Sequence, residues 1–309
     1  MSRPATTASC ELLLTPSDVR ERGLKLLEVH MTSRASSETK EKIFMQHYGS
    51  NAASLAYQWY DLCVVEDPSI RLDIEEISVD GFRKFMMAHN FLWDTPKNSQ
   101  VFATRWKQCE RLSRGIHIWK WISKIAALKP VKIVWDPRLD DEDTETFIVT
   151  IDAVDFRMAE KSTELLRVDR KQYSQKFNHG ALKYEIAISV FDGKPVWTSN
   201  GTRAGRNDND LLQAGGLLDK IKPGKLGITD GGYGHEKLSV PNPREPKEVR
   251  RFKSRARCRH ETFNGRLKHF NALCQTFTYP PDKHQMVFEA VCVTVVYQIE
   301  NGSPLFVVA

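Results

Sequence analysis

The sequence lacks any pair of cysteines at CxxC spacing: its 309 residues include Cys10, Cys63, Cys109, Cys258, Cys274 and Cys292. That argues against a zinc ribbon or a thioredoxin-like motif and points to a reducing compartment. The histidines at 235, 260, 269 and 284 lack the close spacing of a zinc site. No stretch reaches the ~20 apolar residues of a membrane span, and residues 1–23 lack the apolar core of a secretory signal. The expectation is a soluble intracellular protein. Gly231-Gly232-Tyr233 lacks P-loop spacing and reads as a plain loop.

What is present is ordinary globular material, 41% hydrophobic and 27% charged, enough for one large domain or two average ones. Lys and Arg number 45 against 39 Asp and Glu, a net charge of +6. An excess of this size permits nucleic-acid binding without establishing it.

Residues 1–40 read as a flexible tail with one short helix. From Ser37 to Val65, Ile43, Phe44, Tyr48, Leu55, Trp59 and Leu62 recur at helical spacing, and Gly49-Ser50 divides the run into two helices. Further helices are expected over Val79–Leu92 and within Val101–Leu128, ended by Pro130. Tyr48 to Ala53 forms a candidate helix-turn-helix corner. Arg105, Lys107, Arg111, Arg114, Lys120 and Lys124 add positive charge to this region, 41–135. An acidic linker follows at 136–145, with Asp136, Asp140, Asp141, Glu142, Asp143 and Glu145 opposed only by Arg138.

Beyond it the period changes to two. Phe147–Ile151 reads as a strand ending at Asp152, and Tyr184–Phe191 as a second strand. Asp192-Gly193 turns into Pro195–Thr198, a hairpin signal. A helix is expected over Asn209–Ile221, a strand ending in acid over Leu226–Asp230, and a loop over 231–250. Helices follow over Ser254–Cys274 and His284–Glu300, the last with strand-like valines. The second half is a mixed α/β domain, 146–309, after an all-helical region.

Asp152 and Asp230 each follow an apolar strand, where rigid backbone can hold a carboxylate for a hard cation such as Mg²⁺. Glu261 lies on a helix between Arg257 and Lys268, on one face. From Arg244 to Lys268 there are ten basic residues, among them Arg250, Arg251, Lys253, Arg255, Arg259 and Arg266, against three glutamates. A positive segment around a carboxylate site suits a polyanionic substrate. As a solvated amphipathic helix, the same segment would carry ion pairs worth only about 0.3–0.5 kcal/mol.

The succession strand-Asp152, Gly-Arg-Asn-Asp208, Ile-Thr-Asp230-Gly-Gly-Tyr233 and Arg-His-Glu261-Thr-Phe-Asn-Gly-Arg-Leu-Lys268 resembles DDE transposases of the PIF/Harbinger type, relatives of bacterial insertion-sequence transposases. The resemblance covers 146–309 and, more weakly, 44–135. It implies an RNase H-like endonuclease domain in which Asp152, Asp230 and Glu261 bind two Mg²⁺ or Mn²⁺ ions. Asp208, Arg257, His260 and Lys268 would be supporting residues. Arg257-x3-Glu261-x6-Lys268 matches three members of the bacterial YREK signature, while the tyrosine position holds Ser254. Where the family often has Asp-Gly-Thr, this chain has Asp152-Ala153-Val154-Asp155, so Asp155 stands as the alternative first acid. The implied activity is DNA cleavage and strand transfer on transposon ends and target DNA, by a homo-oligomer, in the nucleus of a eukaryotic host or otherwise the cytoplasm. The alternative is a catalytically inactive, transposase-derived DNA-binding or regulatory protein. A metal-dependent nuclease acting on RNA is a weaker third reading, since no RNA-reading motif is present.

Overall fold

Side-chain oxygens open the early helices. Thr15, Ser36, Asn51 and Ser78 each accept a hydrogen bond from the backbone N–H three residues on. The helices they cap are α1 (Pro16–Leu26), α2 (Ser37–Tyr48), α3 (Ala52–Val64) and α4 (Val79–Asp94). α5 (Ser99–Arg105) and α6 (Ile118–Ala127) follow. The computed structural model describes residues 14–29, 35–95, 99–106, 116–141, 146–160 and 173–308. Lys107, Arg111 and Arg114 of the basic group, and Glu142, Asp143 and Glu145 of the acidic linker, lie outside them.

The chain divides into two units. The helical one takes residues up to Leu128 together with 270–272 and 289–302. Its core is aromatic: Trp59 stacks on Trp121 at 5.9 Å and meets Phe82 edge-on at 5.3 Å. Gly49, at φ 66, ends α2, and Asn51 restarts the chain as α3. Within the expected tail, α1 is anchored by Val19 and Leu24, both buried, and by the Tyr48 hydroxyl on the Gly23 carbonyl. The unit's last helical piece comes from the far end of the chain. Tyr297 donates to Asp61 at 2.6 Å, and Gln298 to the Gly49 carbonyl at 2.7 Å. The span 289–302, expected with the α/β domain, is therefore part of the helical unit.

The second unit begins at Lys129 with the short α7 (Lys129–Lys132). Its strands are β1 (Phe147–Arg157), β2 (Tyr173–Ser174), β3 (His179–Ser189), β4 (Pro195–Thr198), β5 (Thr202–Arg203), β6 (Leu226–Ile228) and β7 (Leu238–Ser239). Among the described residues these form one mixed sheet in the order β2-β3-β1-β6-β7, with β4 and β5 also on β3. β3 is antiparallel to β1, while β6 runs parallel to it. Between β5 and β6 lie α8 (Asp208–Gly215) and α9 (Leu217–Lys220). After β7 come the long α10 (Lys247–Lys268), α11 (Asn271–Cys274) and α12 (Pro281–Glu300). Leu212 and Leu217 cover Ile151 and Ala187 on one face of the sheet. The other face meets α10, whose Ala256 packs near Val190 and Ile228. A mixed sheet flanked by helices, with a helical region before it, is the arrangement expected of an RNase H-like fold.

Several boundaries differ from the periodicity. β1 does not end at Asp152; it runs on to Arg157, because β3 pairs it throughout from Val149 to Arg157. The helix expected over Asn209–Ile221 splits at Gly216, whose φ of 75 a side chain rarely tolerates. α10 starts at Lys247 directly after Pro246, seven residues before the expected Ser254, and ends at Lys268, short of the expected Cys274.

Candidate active site

Register brings the first two acids level. β6 runs parallel beside β1, with Ile228 opposite Thr150. Two residues further along, β1 reaches Asp152 and the other chain, having left the sheet, reaches Asp230. Asp152 thus stands mid-strand at the point where its neighbour on one side stops. This restores the logic of a carboxylate at the sheet's opening, although the strand itself continues.

Alternation then assigns the faces. Thr150 and Asp152 point toward α10: Thr150 Oγ1 lies 2.9 Å from His260 Nδ1, and Asn264 Nδ2 donates to Asp152 Oδ2 at 2.9 Å. Asp155, three residues on, is turned away. It accepts from Ser174 at 2.5 Å and lies near Lys183 and Asp208. Burial pushes its carboxyl up, and the Ser174 bond offsets part of that.

Glu261 is on α10, exposed, and Asp230 is exposed at the end of its strand. Both act on Asp152. Burial first, then the charges of Glu261 and Asp230, push the Asp152 carboxyl up to about 7. Lys176 and Lys268 are the cations nearby. Burial, followed by repulsion from Lys176, lowers the half-buried Lys268 ammonium, while Glu261 and Asp152 oppose the drop. Among the described residues no three His, Cys, Asp or Glu side chains stand close enough to hold a metal ion as they are. The three acids share a field rather than a ready-made coordination shell.

The loop after β6 is firmly built. Asp230 Oδ1 accepts from the Gly232 N–H at 2.8 Å. Asn209 on α8 accepts from the Gly234 N–H at 2.8 Å. Asp208, the first residue of α8, pairs with Lys183 at 2.7 Å.

The other expected residues separate into two groups. His260 is sealed in the core, its imidazole held neutral by burial at about 3. Its role is to tie α10 to β1; a side chain so enclosed cannot carry protons to a substrate. Arg259 is buried and donates to the Ser189 and Val190 carbonyls at 2.8 and 2.7 Å. Lys253 is buried on Glu245 at 2.5 Å. Arg266 holds the Ser303 and Pro304 carbonyls, and Arg255 the Val307 carbonyl. Of the basic segment, Arg250 and Arg251 are exposed, and Arg257 is half-buried.

Sequence reasoning missed three residues. Asn264, which orients Asp152, stands three places after Glu261, so helical spacing already put the two on neighbouring positions. Lys176 sits in the turn between β2 and β3, with no local pattern to mark it. Glu185 lies in an apolar strand, and that contrast was the signal available.

Residues 151–295 match the family described as DDE superfamily endonuclease. This stretch is similar to the DDE superfamily endonucleases. No curated protein and no solved structure matches the chain. The endonuclease match begins one residue before Asp152 and encloses Asp230 and Glu261. Among the described residues, no helix is long and apolar enough to cross a membrane.

Proposed function

We propose that the endonuclease domain cleaves DNA by metal-assisted phosphoryl transfer at Asp152, Asp230 and Glu261. The observation that carries this reading is the raised Asp152 carboxyl, charged against by both other acids inside the matched segment. Three carboxylates with too little positive charge between them are the donor set of a hard dication, Mg²⁺ or Mn²⁺, with two ions expected. Asn264 Oδ1, buried beside Asp152 without a partner, is a further acceptor left at the site. When bound, such cations supply Lewis-acid stabilisation of the phosphate and a lowered pKa for the attacking water.

The chain's own residues do the rest. Asn264 fixes the Asp152 rotamer. Lys268 and Lys176 attract the scissile phosphate, with Arg257 beside them on α10. Arg250 and Arg251 engage flanking phosphates. The helical unit, with its α2–turn–α3 corner, binds DNA. The full reading is a transposase of the Harbinger type that cuts transposon ends and joins them to target DNA as a homo-oligomer, in the nucleus of a eukaryotic host or otherwise the cytoplasm.

The test is nicking of supercoiled DNA in Mn²⁺. Wild type should nick, and folded Asp230→Asn should not. Undiminished nicking by that variant would overturn the assignment. A second reading, an inactive DNA-binding descendant, draws on the open spacing of the acids. Salt-sensitive DNA binding that ignores both metal and the acid substitutions would favour it.

A further inference from the structure

Glu185, in the middle of β3, is fully buried, and neither of its carboxyl oxygens completes a hydrogen bond. Its register partner is Ala153, so it points to the face opposite Asp152, toward α8 and α9. Burial pushes this acid up to about 8, which keeps it neutral at ordinary pH. The Tyr233 hydroxyl lies beside it, also without a completed hydrogen bond. The tyrosine ring packs in the cluster of Ile151, Ala187, Leu212 and Leu217.

Burying an acid and a phenol where apolar side chains would fit is costly unless each satisfies the other. A neutral carboxyl can donate to the phenol oxygen and accept from its hydroxyl. Tyr233 is the third residue after Asp230, on the loop that Asn209 grips from α8. Asn209 holds the loop at its exposed side, and Tyr233 roots it in the core.

We propose that Glu185 and Tyr233 form a buried acid–phenol pair that anchors the Asp230 loop to the sheet, making both positioning residues for the second carboxylate. The functional half of this rests on reading Asp230 as a site carboxylate; the anchoring half does not.

The experiment compares wild type, Tyr233→Phe, Glu185→Gln and Glu185→Leu by amide hydrogen exchange and by Mn²⁺ calorimetry. Tyr233→Phe and Glu185→Leu should speed exchange at Gly231, Gly232 and Gly234 by about tenfold, with β1 unchanged. Mn²⁺ affinity should fall about tenfold in both. Glu185→Gln keeps a donor and an acceptor and should stay within about threefold of wild type on both readouts. If Glu185→Leu does not fold, the contrast between Tyr233→Phe and Glu185→Gln decides. Folded Tyr233→Phe with wild-type loop exchange overturns the anchor, as does Glu185→Gln loosening the loop equally. A loosened loop in a protein whose wild type binds no Mn²⁺ upholds the anchor and overturns the metal reading instead.

Discussion

Asp152 and Glu185 sit one step out of register on adjacent strands, and the pleat sends them to opposite faces of the sheet. On the α10 face, Asp152 is partly exposed, is held by Asn264, and shares its field with two exposed acids. On the α8–α9 face, Glu185 is fully buried with the Tyr233 hydroxyl beside it. Both carboxyls are raised, with burial the first cause in each. The difference lies in what comes second. Asp152 is raised further by the charges of Glu261 and Asp230, which a cation would cancel, whereas at Glu185 the Tyr233 hydroxyl comes second and lowers it, against smaller upward pushes from Asp208 and Asp152. One face is built to receive charge, the other to keep an acid neutral.

The largest effects should come from breaking the α10 face. Asp230→Asn and Glu261→Gln should each cut Mn²⁺-dependent nicking by roughly 10³-fold or more. Both residues are exposed, so melting temperatures should hold or rise slightly. A large loss of stability would mean that the acids are structural.

The opposite face should answer to pH rather than to metal. The Glu185 pKa rises from an ordinary 4.5 to about 8 on folding. Between those values the folded chain holds a proton that the unfolded chain has released. Unfolding free energy therefore falls as pH climbs from about 4.5 to about 8, then levels. Glu185→Gln should remove Glu185's share of that slope and leave the share of Asp152, itself raised to about 7, gaining on wild type by a few kcal/mol at pH 9 and by little at pH 4. Equal effects at both pH values, measured by denaturant titration, would show that Glu185 is ionised in the fold.

Orientation effects come next. Asn264→Leu deprives Asp152 of its partner and should weaken Mn²⁺ binding about tenfold in calorimetry, with a smaller effect on folding. Thr150→Val strands the buried His260 and should cost about 1–3 kcal/mol in chemical denaturation. Nicking by the folded fraction should survive that change. The smallest effect is on the surface: Arg251→Ala should lower the salt dependence of DNA binding by about one phosphate contact, and Arg259→Ala should act through stability instead.

Much of this was legible in residue order, but unevenly. The apolar runs around Asp152 and Asp230 marked both strands, because a buried strand advertises itself by β-branched residues. The shift from helical to twofold period marked the change of architecture. Strand ends were not legible: β1 outruns its apolar run because β3 pairs with it beyond Asp152, and pairing is a property of the partner. Charge was misleading on α10. Arg259 and Lys253 look like any other basic residues in sequence, yet carbonyls and Glu245 draw them inward. Glu185 and Tyr233 meet only once β3 and the loop after β6 are brought together, 48 residues apart in the chain.

The most direct test of the account is Mn²⁺ calorimetry on wild type, Asp152→Asn, Asp230→Asn and Glu261→Gln. Wild type should bind and each variant should bind more weakly, with all four folded. Absence of binding by wild type even with DNA present, or binding that none of the three substitutions changes, would contradict it.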